Sequence, residues 1–152
     1  MPVDARRPIT IGAHEIKDFH AKNRVLTVSE VFKYSSNIGS TRLALGFGKE
    51  QQQSFFEKFG LMNRSSIELR EAARPITPDR WGDITTATLS YGYGLSVSPL
   101  QLAEAVIPVV NGGLRMEASL LKGGRTSAPQ RVLSPETAKQ VRNMMRQVVE
   151  DG

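Results

Sequence analysis

The spacing of apolar residues along the chain predicts helices separated by irregular connections. Residues 1–26 hold Pro2, Pro8 and Gly12 with little periodicity, so extended or irregular backbone is predicted there. Thr27-Val28-Ser29-Glu30 has the form of a capping box and starts a short helix through Val31, Phe32 and about Tyr34. Ser35-Ser36-Asn37 interrupts that helix, because short polar side chains compete for backbone hydrogen bonds. A second helix is predicted through Ile38, Leu43 and Leu45 to a stop near Gly46 and Gly48. A third covers residues 49–59, burying Phe55, Phe56 and Phe59, with Gly60 at its end.

Residues 61–82 lack a steady period and contain Pro75 and Pro78, which predicts a loop with at most a short strand. Residues 84–89 fit helix and strand equally, and Tyr91-Gly92-Tyr93-Gly94 breaks whichever forms. Ser98-Pro99 is an N-cap followed by proline at the first helical position. The helix behind it aligns Leu102, Ala105, Val106, Val109 and Val110 as one apolar stripe. Pro108 should bend its last turn and Asn111-Gly112-Gly113 should end it. Ser134-Pro135 repeats the same start, and the last helix aligns Val141, Met144, Met145, Val148 and Val149. The pattern amounts to one domain's worth of helix-rich chain with long connections.

Charge alters this picture little. Twenty basic against fifteen acidic residues give +5, spread along the chain without a basic run. No interleaved aromatics or known module accompany that excess, so nucleic acid is not expected as a partner. Cysteine is absent, which excludes disulfides and thiolate metal sites. His14 and His20 lie six apart without a Glu-x-x-His partner, and no metal or other cofactor is expected. No stretch approaches 18 apolar residues and no signal core follows the first residues, so any targeting or anchoring segment is expected outside this chain.

The candidate chemistry sits at Ser35-Ser36-Asn37, where one predicted helix ends and the next begins. A serine hydroxyl donates and accepts, so it can pass a proton between a nucleophile and a leaving amine. An asparagine amide can clamp a peptide group from both sides. The same triplet also reads as a helix C-cap followed by an N-cap.

The run from Leu26 through Tyr34-Ser35-Ser36-Asn37-Ile38-Gly39, followed by Leu43-Ala44-Leu45, resembles the second active-site motif of class B penicillin-binding proteins. Phe59-Gly60-Leu61, Trp81, Asn111-Gly112-Gly113 and Leu120-Leu121-Lys122 fit the same order. The most specific block is Thr86-Ala87-Thr88-Leu89-Ser90-Tyr91-Gly92-Tyr93-Gly94-Leu95-Ser96-Val97-Ser98-Pro99-Leu100-Gln101-Leu102-Ala103. Asp4-Ala5-Arg6-Arg7-Pro8 and Phe19-His20 look most like the division-specific branch of alphaproteobacteria. The resemblance spans residues 12–152 and implies a mainly α piece of a larger fold. That piece is the helical lobe of the α/β serine penicillin-recognising fold, with little strand. Residues 1–152 are then part of a single transpeptidase domain, between the nucleophile motif and the Lys-Thr-Gly motif.

The family's mechanism uses Ser-x-x-Lys, a Ser-x-Asn middle motif and Lys-Thr-Gly. The resemblance therefore gives Ser35 the proton relay, Asn37 the acyl-side amide, and Ser36 the variable place. The implied parent is a serine-type D-Ala-D-Ala transpeptidase cross-linking peptidoglycan stem peptides in septal wall synthesis. It is a target of β-lactams at the periplasmic face of the inner membrane, with divisome proteins and a glycan-strand polymerase as partners. Lys-Thr-Gly does not occur here, and the one Ser-x-x-Lys, Ser119-Leu120-Leu121-Lys122, lies C-terminal to Ser35 in a predicted loop. The chain alone is accordingly expected to be inactive. The alternatives are a non-catalytic helical interaction module built on this lobe and a self-contained serine acylase using Ser119 and Lys122. At Leu69-Arg70-Glu71 the family often has Gly-Glu, so the turn at Glu71 departs from its pattern.

Overall fold

A computed structural model describes residues 1–123 and 127–151. In chain order the elements are β1 (Pro2–Asp4), β2 (Ile9–Ile11), β3 (His14–Ile16), β4 (Val25–Thr27), α1 (Val28–Lys33), α2 (Asn37–Phe47) and α3 (Lys49–Lys58). They continue with α4 (Asp83–Leu89), α5 (Pro99–Val110), β5 (Leu114–Arg115), β6 (Gln130–Arg131) and α6 (Pro135–Asp151). The chain is mainly helical, and the described strands form three separate antiparallel pairs: β1 with β4, β2 with β3, and β5 with β6. Two compact units emerge. One combines Met1–Gln52, Pro78–Leu95 and the chain from Met144 onward, and the other combines Gln53–Thr77 with Ser96–Asn143.

In the first unit, Val3 and Leu26 are register partners across β1 and β4, and both are buried while their neighbours along each strand are more exposed. That period-2 alternation gives the ribbon one apolar face. Ala5, Val31 of α1 and Ile38 of α2 complete the core, flanked by Ile9, Val28, Tyr34 and Leu43. Each large aliphatic side chain buried there contributes roughly 1.5–3 kcal/mol. Residues 84–89, ambiguous in the sequence, are helical in α4, which packs against α2. Gln52 joins the same region, donating to the Thr86 carbonyl at 3.0 Å and accepting from Trp81 Nε1 at 3.1 Å.

Helix α1 starts at the expected capping box. The Glu30 amide donates to the Thr27 hydroxyl at 3.2 Å, and the Thr27 amide donates to the Glu30 carboxylate at 2.8 Å. Arg24 also donates to that carboxylate at 2.7 Å, and with the Thr27 contacts it holds the Glu30 carboxyl down at about 2. An unfolded glutamate titrates near 4.5, so this contribution to stability is complete above that pH and is lost as pH falls through about 2. Thermal unfolding of the full-length protein from about pH 6 down to about pH 2 checks this. The advantage of wild type over Glu30→Gln should be constant above about pH 5 and vanish at the acid end.

The second unit is organised around the start of α5. Ser98 and Gln101 form a reciprocal capping box, with N–H···O distances of 3.2 and 3.0 Å, and Gln101 Nε2 donates to the Asn63 carbonyl at 2.7 Å. Glu104 accepts from the Ser65 hydroxyl and the Ala118 amide at 3.2 and 2.8 Å. These bonds turn Gln101, Ala105 and Pro108 inward. The expected stripe is therefore split: Ala105 is buried and Val109 half-buried, whereas Leu102 is 56% exposed and Val110 60%, and Val106 is exposed as well. The helix continues through Pro108 to Val110, and Arg142 donates to the Val109 carbonyl at 2.6 Å. That supplies a cationic donor to the last turn.

The phenylalanine cluster is also only partly as expected. Phe59 is buried, but Phe55, stacked on it at 4.3 Å between centroids, is 48% exposed. In α6 only Ala138 is buried among the described residues, and the expected stripe stays largely open, with Met145 and Val148 exposed and Val149 87% exposed.

Candidate functional site

The turn between α1 and α2 is closed by backbone hydrogen bonds before any side chain acts. The Ser36 amide donates to the Val31 carbonyl at 3.0 Å, and the Ser35 amide donates to the Phe32 carbonyl at 3.2 Å. Those are the two bonds of a Schellman motif, which needs a left-handed residue just past the helix cap and usually has glycine there. Here the residue is Ser35, at φ +50°. A side chain in that conformation costs about 1–2 kcal/mol, so the rest of the turn must hold it in place.

Side chains supply that hold. Ser36 is the N-cap of α2, accepting from the Gly39 amide at 2.9 Å, and is only 2% exposed. Its own proton goes to Asp18 Oδ2 at 2.7 Å, while Asp18 Oδ1 accepts from the Ile38 amide at 2.8 Å. Asn37 Nδ2 donates to the Lys17 carbonyl at 2.9 Å. The triplet thus alternates in environment. Ser35 is exposed and its hydroxyl makes no hydrogen bond among the described residues. Ser36 is locked between two partners. Asn37 is half-buried with one amide hydrogen bound, and its carbonyl oxygen has no partner among the described residues.

Gly39 lets α1 and α2 come this close. A Cβ there would lie 2.5 and 2.8 Å from the two methyl groups of Val31, which is itself buried. Gly39→Ala is expected to destabilise the full-length protein by up to about 2 kcal/mol. The overpacking cost of about 1–3 kcal/mol outweighs the roughly 1 kcal/mol gained in helix propensity. Urea denaturation measures it as a lowered midpoint with an unchanged slope.

Ser119 and Lys122 are not arranged as a nucleophile and its base. Residues 119–122 are not helical, so the lysine is not held one turn from the serine. The Ser119 hydroxyl donates to Glu68 at 2.6 Å, and the Leu120 amide donates to the other oxygen of that carboxylate at 2.9 Å. Those two bonds, the hydroxyl's foremost, hold the Glu68 carboxyl below its ordinary range, which makes it a weak base. Both histidines are exposed, and no group of three His, Asp or Glu side chains gathers among the described residues. No helix among the described residues is long and apolar enough to cross a membrane.

Asp18 escaped the sequence reading, since it is 18 residues from Ser36 and belongs to no motif. A weak signal did exist: the first turn of α2 contains no acidic residue of its own, leaving its amides for a carboxylate from elsewhere.

The family described as penicillin binding protein transpeptidase domain matches residues 3–152. The probable peptidoglycan D,D-transpeptidase FtsI of Caulobacter vibrioides is 39% identical over 98% of this chain, which spans 26% of that protein. The peptidoglycan D,D-transpeptidase FtsI of Escherichia coli K12 is 34% identical over 95% of the chain and 25% of its own length. The chain thus spans about a quarter of these relatives. Among solved structures, the transpeptidase domain of Burkholderia pseudomallei penicillin-binding protein 3 superposes with a TM-score of 0.87 at 33% identity. That match covers 98% of this chain and 46% of the other. The family match and these alignments extend over nearly the whole chain, and the chain belongs to the penicillin-binding protein transpeptidase family.

Proposed function

We propose that the parent of this chain is a serine-type D,D-transpeptidase that cross-links peptidoglycan stem peptides in septal wall synthesis and is acylated by β-lactams. The single observation that carries the site assignment is the alternation at the α1–α2 turn. A strained, exposed serine and a half-satisfied asparagine flank a serine that is wholly occupied with structure. Ser35 is the proton relay: its hydroxyl takes a proton from the nucleophile's side and returns one to the leaving nitrogen. Asn37 keeps its carbonyl oxygen and one amide hydrogen for a peptide group of the acyl donor. The acylated serine with its lysine, and the Lys-Thr-Gly strand, come from the remainder of the parent, so this chain alone does not turn over substrate. Residues 1–152 form part of one transpeptidase domain, held at the periplasmic face of the inner membrane by a segment elsewhere in the parent. Divisome proteins and a glycan-strand polymerase engage the parent as a whole.

A fluorescent penicillin tests the proposal. The full-length protein should form a covalent adduct, and the 152-residue chain should not. Asn37→Ala in the full-length protein should raise the half-saturating penicillin concentration, roughly tenfold for the loss of a hydrogen bond to a positioned amide. An adduct at Ser119 would replace this reading with that of a self-contained acylase. The exposed apolar side chains on α5 favour a second reading, a non-catalytic interaction module. A full-length protein that takes no label would establish it.

A further inference from the structure

Building on the assignment of Ser35 as the relay, we infer that Asp18 is the positioning residue that keeps Ser35 and Asn37 on display, acting through the buried Ser36 hydroxyl and the first amides of α2. Its carboxylate makes both contacts that the turn cannot satisfy by itself. As N-cap, Ser36 must spend an acceptor lone pair on the Gly39 amide at 2.9 Å, which leaves its O–H proton in a buried place. Asp18 Oδ2 takes that proton at 2.7 Å. Oδ1 takes the Ile38 amide at 2.8 Å, an orphan donor at the helix N-terminus where a negative charge is also favoured. The preceding carbonyl, of Lys17, holds the Asn37 amide at 2.9 Å, so residues 17 and 18 together clasp all three residues at the head of α2.

The reason for such a clasp lies next door. Ser35 sits in the left-handed region, which persists in a residue with a side chain only where the surroundings over-determine it. Without Asp18, the Ser36 proton is buried without an acceptor and the Ile38 amide loses its partner. The lowest-cost response is for Ser36 to rotate or the turn to unwind, and either moves Ser35. Displacements of about 1 Å at a reacting group cost up to about 10²-fold in rate, so the effect reaches chemistry before it reaches global unfolding.

The test uses the full-length protein, with a fluorescent penicillin resolving the maximal acylation rate from the half-saturating concentration. Asp18→Ala is expected to lower the maximal rate at least about tenfold, in protein that thermal unfolding shows to be folded at the assay temperature. Asp18→Asn, which keeps an acceptor for the Ile38 amide and loses the one for Ser36, should fall between alanine and wild type. Because Asn37 bears on the half-saturating concentration and Asp18 reaches the maximal rate through Ser35, adding Asp18→Ala to Ser35→Ala should lower the maximal rate no further. Wild-type maximal rates in both Asp18 variants overturn the proposal, as does a double variant slower by the product of the single effects. Should Asp18→Ala fail to fold, a folded Asp18→Asn at the wild-type rate overturns it. Failure of the underlying relay assignment has a different signature, a wild-type rate in Ser35→Ala itself.

Discussion

Ser35→Gly in the full-length protein is expected to make the fold slightly more stable and acylation at least about 10²-fold slower. The stability effect follows from a serine at φ +50° in a Schellman turn, and the rate effect from the relay role proposed for its hydroxyl. Glycine removes the left-handed penalty of about 1–2 kcal/mol and gives back about 0.4–1 kcal/mol in unfolded-chain entropy. A net gain of up to about 1.6 kcal/mol remains. The hydroxyl makes no hydrogen bond among the described residues, so its removal subtracts little from that gain. Loss of a positioned proton relay costs about 10²–10⁴ in rate, or roughly 2.7 kcal/mol of barrier at the lower bound. Ser35→Ala separates the two effects. Alanine loses the hydroxyl but keeps the left-handed strain, so acylation should be as slow as in Ser35→Gly while stability stays near wild type. Paired thermal unfolding and penicillin acylation decide it. A glycine variant that acylates at the wild-type rate removes the relay role, and one that is clearly less stable removes the strain argument.

That strain was not legible in the residues, and the reason is physical. Serine is common at helix ends in unstrained conformations, so Ser35-Ser36-Asn37 predicts an interruption without saying which residue turns left-handed. The features that were legible are those set by neighbours in sequence. Thr27 with Glu30 and Ser98 with Pro99 each place a helix start correctly, because a cap is satisfied within three residues. Misreadings begin where tertiary contacts choose a helix's inward side. The stripe assigned to α5 counted hydrophobic residues and passed over Gln101, which is buried because its amide closes the capping box and reaches the Asn63 carbonyl. Phe55 was counted as core for the same reason, although only Phe59 of the stacked pair is covered. Asp18 lies beyond any local rule, since its partners are 18 and 20 residues away. The family resemblance named Ser35 and Asn37, yet it gave Ser36 no task, and the structure makes it the most constrained of the three.

The 152-residue chain on its own is expected to self-associate or to unfold without a sharp transition. Within the second unit, Leu102, Val106 and Val110 of α5 and Phe55 of α3 leave large apolar side chains uncovered. Within the first, Met145, Val148 and Val149 of α6 do the same. Covering a side chain of this size is worth roughly 1.5–3 kcal/mol. Association through even two of them on each partner therefore competes with a net folding stability of about 5–15 kcal/mol. Contiguous apolar patches beyond a few hundred Å² are uncommon on monomers and become interfaces. The contacts inside each unit act the other way, since the Val3, Leu26, Val31 and Ile38 core and both capping boxes need nothing outside their own unit. The expected state is therefore one in which the turn at Ser35 is formed while the exposed helices pair with other copies. Light scattering against concentration, with urea denaturation followed by far-ultraviolet circular dichroism, distinguishes the outcomes. Concentration-dependent mass or a broad transition is expected, and Leu102→Gln with Val149→Gln should shift the mass toward monomer without reducing helix content. A monodisperse monomer with one steep transition would show that burial within the two units suffices for an autonomous fold.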